Sequence, residues 1–229
     1  MAIDHIVWDW NGTLFDDGSA LVLATADAFA AAGLPEVTTE RYRDHFTRPI
    51  TLFYDNLAGR TLSAAEQATL DRQFQLSYAR RMAVATLHKD AVNALTMWRD
   101  AGRTQSLLSM YPHGQLMAMR QLGPIARFFS RVDGTTGDEI HLKEPHLRKH
   151  LAHLDLSPER VLMVGDNVDD VRAAEACGLA AVFYHPGDQA LVSLARAQDL
   201  AVPIVSSLSG AVRWALTVVD ELSGDTHDK

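Results

Sequence analysis

The sequence predicts an α/β fold, namely a doubly wound, Rossmann-like parallel sheet with an inserted all-helical cap domain. From about residue 90 onwards, short apolar segments that suit buried strands alternate with amphipathic helical segments. This alternation is typical of a parallel sheet with right-handed helical crossovers. One more apolar segment, HIVW at residues 5–8, predicts a first strand far upstream of the others. Residues 17–86 show helical patterns without a strand, so they are predicted to be inserted after that first strand.

Composition limits the class of protein. A chain of 229 residues, 47% hydrophobic and 22% charged, is long enough for a full globular core. Its net charge of −8 and the lack of a basic stripe argue against nucleic acid or an anionic membrane as a partner. The single cysteine, Cys177, excludes an internal disulfide and suits a reducing compartment. Since neither a signal-peptide pattern nor a run of 18 apolar residues is present, we expect a cytoplasmic protein.

The insertion is predicted to hold four helices. Ser19 is a candidate N-cap for the first, which should end at Gly33. Ser63 and Glu66 form a capping box that opens the last, which should continue to about Val84. Two shorter helices are expected between them, at residues 39–45 and 51–58. The predicted domains are therefore a core of residues 1–16 and 87–229, a cap of residues 17–86, and a polar, disordered tail at 223–229.

The remaining elements follow from hydrophobic periodicity and from glycine or proline boundaries. We expect helices at residues 90–101, 113–122, from 145, 168–177 and 212–222, and strands at residues 104–109, 129–132, 161–166, 180–184 and 203–205.

Polar side chains follow several of these strands at the point where each strand ends. Asp9 follows the first strand, Ser109 ends the second, Lys143 lies between the third and fourth, and Asp166 with Asp170 follows the fourth. So many carboxylates need neutralising, and Mg²⁺ is the cation that oxygen ligands favour. Asp9 and Asp166 are predicted as direct ligands, and Asp170 as a ligand through water. Lys143 would balance the charge of a phosphate and orient the nucleophile, and Ser109 with nearby backbone N–H groups would bind phosphate oxygens.

Four motifs together resemble the haloacid dehalogenase-like hydrolase superfamily, in its phosphoglycolate-phosphatase-like branch with a helical cap. They are DWNGTLFD at residues 9–16, LLSM at 107–110, KEPH at 143–146 and VGDNVDDVRAAEACG at 164–178. The resemblance implies that Asp9 attacks phosphorus to form an aspartyl-phosphate, which water then hydrolyses. It also implies that the backbone carbonyl of Asn11 completes a Mg²⁺ shell. Gly12, Thr13 and Met110 would then join Ser109 in the substrate site.

Two residues depart from the family pattern. Asn11 stands where the family has a second carboxylate that serves as general acid and base, and an amide cannot titrate. Losing such a group typically costs about 10²–10⁴ in rate. Asp16, Asp17, His113 and solvent are the candidates that could move the proton instead. In KEPH, Lys143 is not followed directly by proline, so Lys149 is a rival for its role.

The resemblance leaves two classes of function open. The first is a Mg²⁺-dependent phosphatase that acts on a small phosphorylated metabolite, as a monomer or homodimer. The second is a catalytically weak or inactive protein that binds such a metabolite or a protein partner. Arg48 is a candidate for contact with an anionic substrate, although an ordinary surface arginine is the preferred explanation. Three histidines fall on one helical face and suggest a zinc site, but without a carboxylate or cysteine partner they are better explained as solvated: residues 146, 150 and 153.

Overall fold

A computed structural model of the chain describes residues 3–136 and 142–223. The eight strands of this described part are β1 (His5–Trp8), β2 (Phe15–Asp16), β3 (Thr86–Leu87), β4 (Thr104–Pro112), β5 (Val132–Thr135), β6 (Val161–Gly165), β7 (Ala180–Tyr184) and β8 (Ile204–Val205). Its ten α-helices are α1 (Gly18–Ala31), α2 (Thr39–His45), α3 (Ile50–Ala58), α4 (Ala64–Met82), α5 (Ala91–Asp100), α6 (His113–Met117), α7 (Lys143–Leu154), α8 (Val168–Cys177), α9 (Leu194–Gln198) and α10 (Leu208–Ser223).

Six strands form one parallel sheet in the order β5-β4-β1-β6-β7-β8, which confirms the predicted fold class. β1 lies between β4 and β6, with His5 opposite both Thr104 and Val161. Because the strand order reverses at β1, the crevice beyond its carboxyl end is where an open α/β sheet binds its ligand. Asp9 is the first residue after β1, so it stands at that crevice.

The two faces of the sheet are covered by two separate apolar clusters, as expected of a parallel sheet buried on both sides. Alternate residues of β1 point to opposite faces: Ile6 and Trp8 belong to one cluster and Val7 to the other. The first cluster includes Trp98 of α5, and the second includes Leu147 of α7. The two apolar clusters fix the positions of the strands and therefore of the residues at the strand ends.

Helices α1 to α4 lie between β2 and β3 in the chain and have an apolar cluster of their own. Phe29, Tyr42, Phe53 and Leu57 are buried in it. The predicted capping box of α4 is present, since the Ser63 hydroxyl accepts from Glu66 N while the Glu66 carboxylate accepts from Ser63 N. The predicted cap at Ser19 is wrong, because α1 already begins at Gly18. The division into core and cap domains stays a prediction.

The sequence missed the antiparallel pair formed by β2 and β3, which joins the two ends of the helical insertion. Other boundaries are shifted. β5 starts three residues later than predicted, and α7 starts at Lys143 because Pro145, which lacks an N–H, fits within its first turn. The predicted tail beyond residue 223 lies outside the described residues. Of the helices described, none is long and apolar enough to cross a membrane.

Candidate active site

Three carboxylates meet where β1 and β6 end. Asp9 follows β1 and is held to β6 by its backbone N–H, which donates to Val164 O at 2.9 Å. Asp166 follows β6, and Asp170 lies in the first turn of α8. One oxygen of each carboxylate lies within 4.8 Å of the others, and all three residues are buried.

The loop after β1 approaches this cluster closely at Gly12. Its φ is +77°, and a Cβ built on it would lie 2.3 Å from Asp166 Oδ2, so the position requires glycine. The neighbouring Thr13 is fully buried, and its hydroxyl donates to Asp166 Oδ1 at 2.7 Å. Gly12 and Thr13 therefore fix the Asp166 carboxylate beside Asp9.

Lys143 is the cation of the cluster. Its side chain is 1% exposed, and Nζ donates to Asp9 Oδ1 and Asp170 Oδ1. Its backbone N–H donates to Asp169 Oδ2 at 3.0 Å, which ties the start of α7 to α8. Lys149 is exposed on the same helix, so the structure brings Lys143 and not its rival to the carboxylates.

Asp170 has a second partner that fixes its orientation. Asn167 is the N-cap of α8, and its backbone N–H donates to Asp170 Oδ2 at 3.0 Å in a capping box. The other oxygen of Asp170 faces Lys143. The same aspartate thus starts the helix and completes the acidic cluster.

Burial dominates the electrostatics of the cluster. It raises the pKa of Asp9 to about 7, and the Asp170 carboxylate adds to this while Lys143 opposes it. Burial, with Asp9 and Asp170 nearby, also raises the pKa of Asp166 well above its usual value. Burial alone would lower the pKa of Lys143, but Asp170 and Asp9 outweigh it and keep the amine protonated. The cluster thus has more carboxylate oxygens than the single ammonium of Lys143 can pair.

The donor set fits a hard divalent cation. When ionised, the three carboxylates together with one ammonium leave a net charge of −2, which one Mg²⁺ or a similar divalent cation would balance. Carboxylate oxygens are the ligands that such cations prefer. Asp9, Asp166 and Asp170 are therefore the described residues that could hold a metal.

Asn11 is bound on both sides of its amide. Nδ2 donates to Asp17 Oδ2 at 2.7 Å and to Tyr78 Oη at 3.0 Å, while Oδ1 accepts from Ser109 Oγ at 3.3 Å. Asp17 also accepts from Gly12 N at 2.8 Å and from the Tyr78 hydroxyl at 2.5 Å. Burial raises the pKa of Asp17 to about 6, against the opposing effect of these hydrogen bonds.

A cavity of about 500 Å³ lies over Asn11, between the end of β4 and the inserted helices. Met110 and Arg48 line it, as the sequence predicts for substrate contacts. Most of the other walls are apolar or aromatic, and they include Tyr42, Tyr54, Phe74, Tyr78 and Tyr111. A pocket of this size and lining suits a small organic ligand with one polar end.

Two residues that the sequence offers as proton carriers are not brought to Asn11. His113 is not among the residues that line the cavity, and its Nδ1 accepts from Gly134 N at 3.1 Å, which ties it to β5. Asp16 is also turned away from Asn11, and its carboxylate lies 3.9 Å from His88 Nε2. The structure therefore supports neither of these two as the group that moves a proton near Asn11.

The prediction of a solvated histidine is wrong for His150. It is fully buried, with Nε2 2.8 Å from Ser106 Oγ and Nδ1 2.7 Å from Asp133 Oδ2. Ser106 in turn lies 2.8 Å from His5 Nε2. This serine–histidine–aspartate arrangement is closed to substrate because Ser106 and His150 are both fully buried. It is a buried polar network that joins β1, β4, β5 and α7.

Sequence reasoning misses Tyr78 entirely. Its contact with Asn11 spans 67 residues and depends on how α4 packs against α1, which no local pattern reports. Asp17 is only a minor candidate from the sequence. No local pattern distinguishes it from Asp16, because the two neighbours have the same chemistry and only the fold buries Asp17.

Comparison with known proteins gives the family. A model of the haloacid dehalogenase-like hydrolases matches residues 3–178, and the chain belongs to this hydrolase family. It is 29% identical over 196 residues to a phosphoglycolate phosphatase of Vibrio vulnificus strain YJ016, covering 78% of this chain and 82% of that protein. It is 28% identical over 198 residues to an N-acetylmuramic acid 6-phosphate phosphatase of Pseudomonas aeruginosa, covering 82% of this chain and 86% of that one.

The fold agrees with solved structures. A haloacid dehalogenase-like hydrolase from Streptococcus pneumoniae superposes with a TM-score of 0.79 at 18% identity, covering 93% of this chain and 98% of that one. The predicted family resemblance is therefore confirmed from both sequence and fold.

Proposed function

We propose that the chain is a Mg²⁺-dependent phosphatase that hydrolyses a small phosphate monoester through an aspartyl-phosphate on Asp9. The observation that carries the proposal is the buried cluster of Asp9, Asp166, Asp170 and Lys143 at the carboxyl end of β1. Membership of the hydrolase family and the phosphatase names of its relatives support the same reaction.

The residues divide the reaction between them. An oxygen of Asp9 attacks phosphorus and the bond from phosphorus to the ester oxygen breaks, so the alcohol leaves with the electron pair and takes a proton from solvent. Water then attacks the phosphorus of the aspartyl-phosphate and loses a proton to solvent, the bond from phosphorus to the Asp9 oxygen breaks, and inorganic phosphate is released. Lys143 favours the ionised form of Asp9 and orients it, and it compensates the negative charge of the phosphate. Bound Mg²⁺ would supply further compensation of charge on the phosphoryl oxygens, held by Asp9, Asp166, Asp170 and the backbone carbonyl of Asn11.

Substrate binding is assigned to the cavity over Asn11. Ser109 is fully buried, accepts from Tyr111 N at 3.0 Å and donates to Asn11, so its hydroxyl is fixed for contact with a phosphate oxygen. The aromatic walls would pack against the remainder of the metabolite, and Arg48 would contact a further anionic group on it. In this proposal the inserted helices act as the cap that selects the substrate.

A second candidate is a binding protein with little or no turnover. It is favoured by the Asn11 amide, which cannot donate or accept a proton as a carboxylate can. Both candidates use the same cavity and differ only in whether the phosphate ester is cleaved.

The deciding experiment measures phosphate release from a panel of phosphate monoesters, in Mg²⁺ and in EDTA, for the wild type and Asp9→Asn. We expect turnover that requires Mg²⁺ and is abolished by Asp9→Asn, because an amide is not a nucleophile for phosphorus. Asp44→Asn, which removes an exposed carboxylate, is the matched control and should keep full activity. No turnover by the wild type, together with thermal stabilisation by an ester, would favour the binding protein.

A further inference from the structure

The amide of Asn11 lies between two partners with opposite requirements. On one side the Asp17 carboxylate, 2.7 Å away, can only accept a hydrogen bond. On the other side the Ser109 hydroxyl, whose oxygen already accepts from Tyr111 N, has its proton free to donate to Asn11 Oδ1. An amide satisfies both partners at once, whereas a carboxylate at position 11 has nothing to donate to Asp17.

Asp17 cannot easily turn away from position 11. It is 1% exposed, and its two oxygens accept from Gly12 N at 2.8 Å and from the Tyr78 hydroxyl at 2.5 Å. A carboxylate placed at position 11 would therefore face a second carboxylate at hydrogen-bond distance in a buried setting. Such a pair is strongly unfavourable unless one carboxylate takes up a proton or is replaced by a group that donates a hydrogen bond.

The same contacts extend to the inserted helices. Tyr78 lies on α4, 61 residues from Asp17, and is 3% exposed. Its hydroxyl forms hydrogen bonds with both Asn11 and Asp17 in the segment after β1. Through Asp17 and Tyr78, the packing of α4 on α1 decides how Asn11 and hence Ser109 are oriented.

We propose that Asp17 is the positioning residue for Asn11, and that residues 11 and 17 form an amide–carboxylate pair. A carboxylate at position 11 supports activity only when position 17 carries no carboxylate. This proposal rests on the proposed function, because orienting Ser109 matters for stabilising the phosphoryl oxygens in the transition state. Asp17 holds the Asn11 amide with Oδ1 toward Ser109, and Tyr78 transmits this hold to the helical insertion.

The test is a double-mutant cycle with Asn11→Asp, Asp17→Asn and the combined variant, measured as kcat and KM on the best monoester of the panel. We expect each single variant to lower kcat about tenfold or more, the loss typical of one hydrogen bond to a charged group, while KM changes little. The combined variant should regain kcat to at least a third of the wild type. In that variant the amide introduced at position 17 can donate to the carboxylate introduced at position 11, and the Tyr78 hydroxyl can donate to either side chain. Tyr78→Phe should also lower kcat and should not be rescued by Asn11→Asp.

Asp27→Asn is the matched control. Asp27 is an exposed carboxylate that also joins α1 to α4, through Ser77 and Arg81, but it does not contact Asn11. It should leave kcat within twofold of the wild type and should not interact with Asn11→Asp.

Two outcomes would overturn the pairing. One is a kcat of Asn11→Asp equal to that of the wild type, and the other is a combined variant whose kcat is no higher than that of the less active single variant. Absence of phosphate release from the wild type would instead refute the proposed function. In that event thermal melting of the same four proteins decides the pairing. Melting temperatures that the single variants lower and the combined variant restores support it, and additive losses refute it.

Discussion

Lys143→Met should show how strongly one ammonium group supports the acidic cluster. The side chain keeps its length but loses its charge, which leaves Asp9 and Asp170 buried without their shared partner. Breaking a buried ion pair from one side costs about 3–5 kcal/mol. For a protein of this size each kcal/mol lowers the melting temperature by about 2–4 °C, so we expect a loss of about 6–20 °C in EDTA.

The measurement is thermal unfolding at neutral pH in EDTA and in Mg²⁺, beside phosphate release. Mg²⁺ should raise the melting temperature of Lys143→Met more than that of the wild type, because the variant has one more negative charge to neutralise. The loss should also shrink as the pH falls, since the buried carboxylates then take up protons. Turnover should be abolished at every pH.

Lys149→Met is the matched control, on the same helix but exposed. It should change the free energy of unfolding by no more than about 0.5 kcal/mol and leave turnover intact. If Lys143→Met melts within about 2 °C of the wild type in EDTA, the three carboxylates do not depend on Lys143, and the electrostatic reasoning is refuted.

Three further predictions follow from single positions. Gly12→Ala should abolish turnover and lower the melting temperature, because its Cβ would lie 2.3 Å from Asp166 Oδ2. Gly33→Ala is the control, since Gly33 also has a positive φ but nothing lies within 4 Å of its Cβ position. It should keep turnover, and its loss of melting temperature measures the cost of the positive φ alone. Burial, with His150 nearby, lowers the pKa of His5 from 6.5 to about 4. Between these two pH values the unfolded chain binds more protons at this histidine than the folded chain does. The free energy of unfolding therefore falls as the pH drops from 6.5 to 4, by about 3 kcal/mol in total. Melting temperatures of the wild type and His5→Gln should therefore converge from pH 7 to pH 4, and a constant difference would contradict this. Arg48→Ala should raise KM for esters with a second anionic group and leave kcat unchanged; an equal KM for esters without that group is the control.

The carboxyl edge of the sheet could be predicted because the strands that end there have strong local signals. β1 and β6 are short, apolar and bounded by polar residues, so Asp9 and Asp166 could be placed from the sequence alone. Parallel strands bring their carboxyl ends to one edge, and this rule alone predicts that these carboxylates meet. The structure confirms that they do, while the roles of the site residues stay predictions.

The contacts around Asn11 could not be predicted, because they depend on packing across long sequence separations. Asp17 lies close in sequence, yet its neighbour Asp16 has the same chemistry and points elsewhere. Tyr78 reads as one more aromatic residue on an amphipathic helix. The prediction for His150 is wrong for the same reason: α7 packs on β4, and the partners of His150 are Ser106 of β4 and Asp133 of the neighbouring β5.

The β2–β3 pair has a consequence for how the chain can change over evolutionary time. Because residues on either side of the inserted helices are paired, Phe15 opposite Leu87 and Asp16 opposite Thr86, the insertion leaves and re-enters the core at one place. A helical segment of another length or sequence can begin and end there without altering a single pairing in the six-stranded sheet. To keep the arrangement around Asn11, the new segment would have to supply a group that takes over the contact of Tyr78 with Asn11 and Asp17.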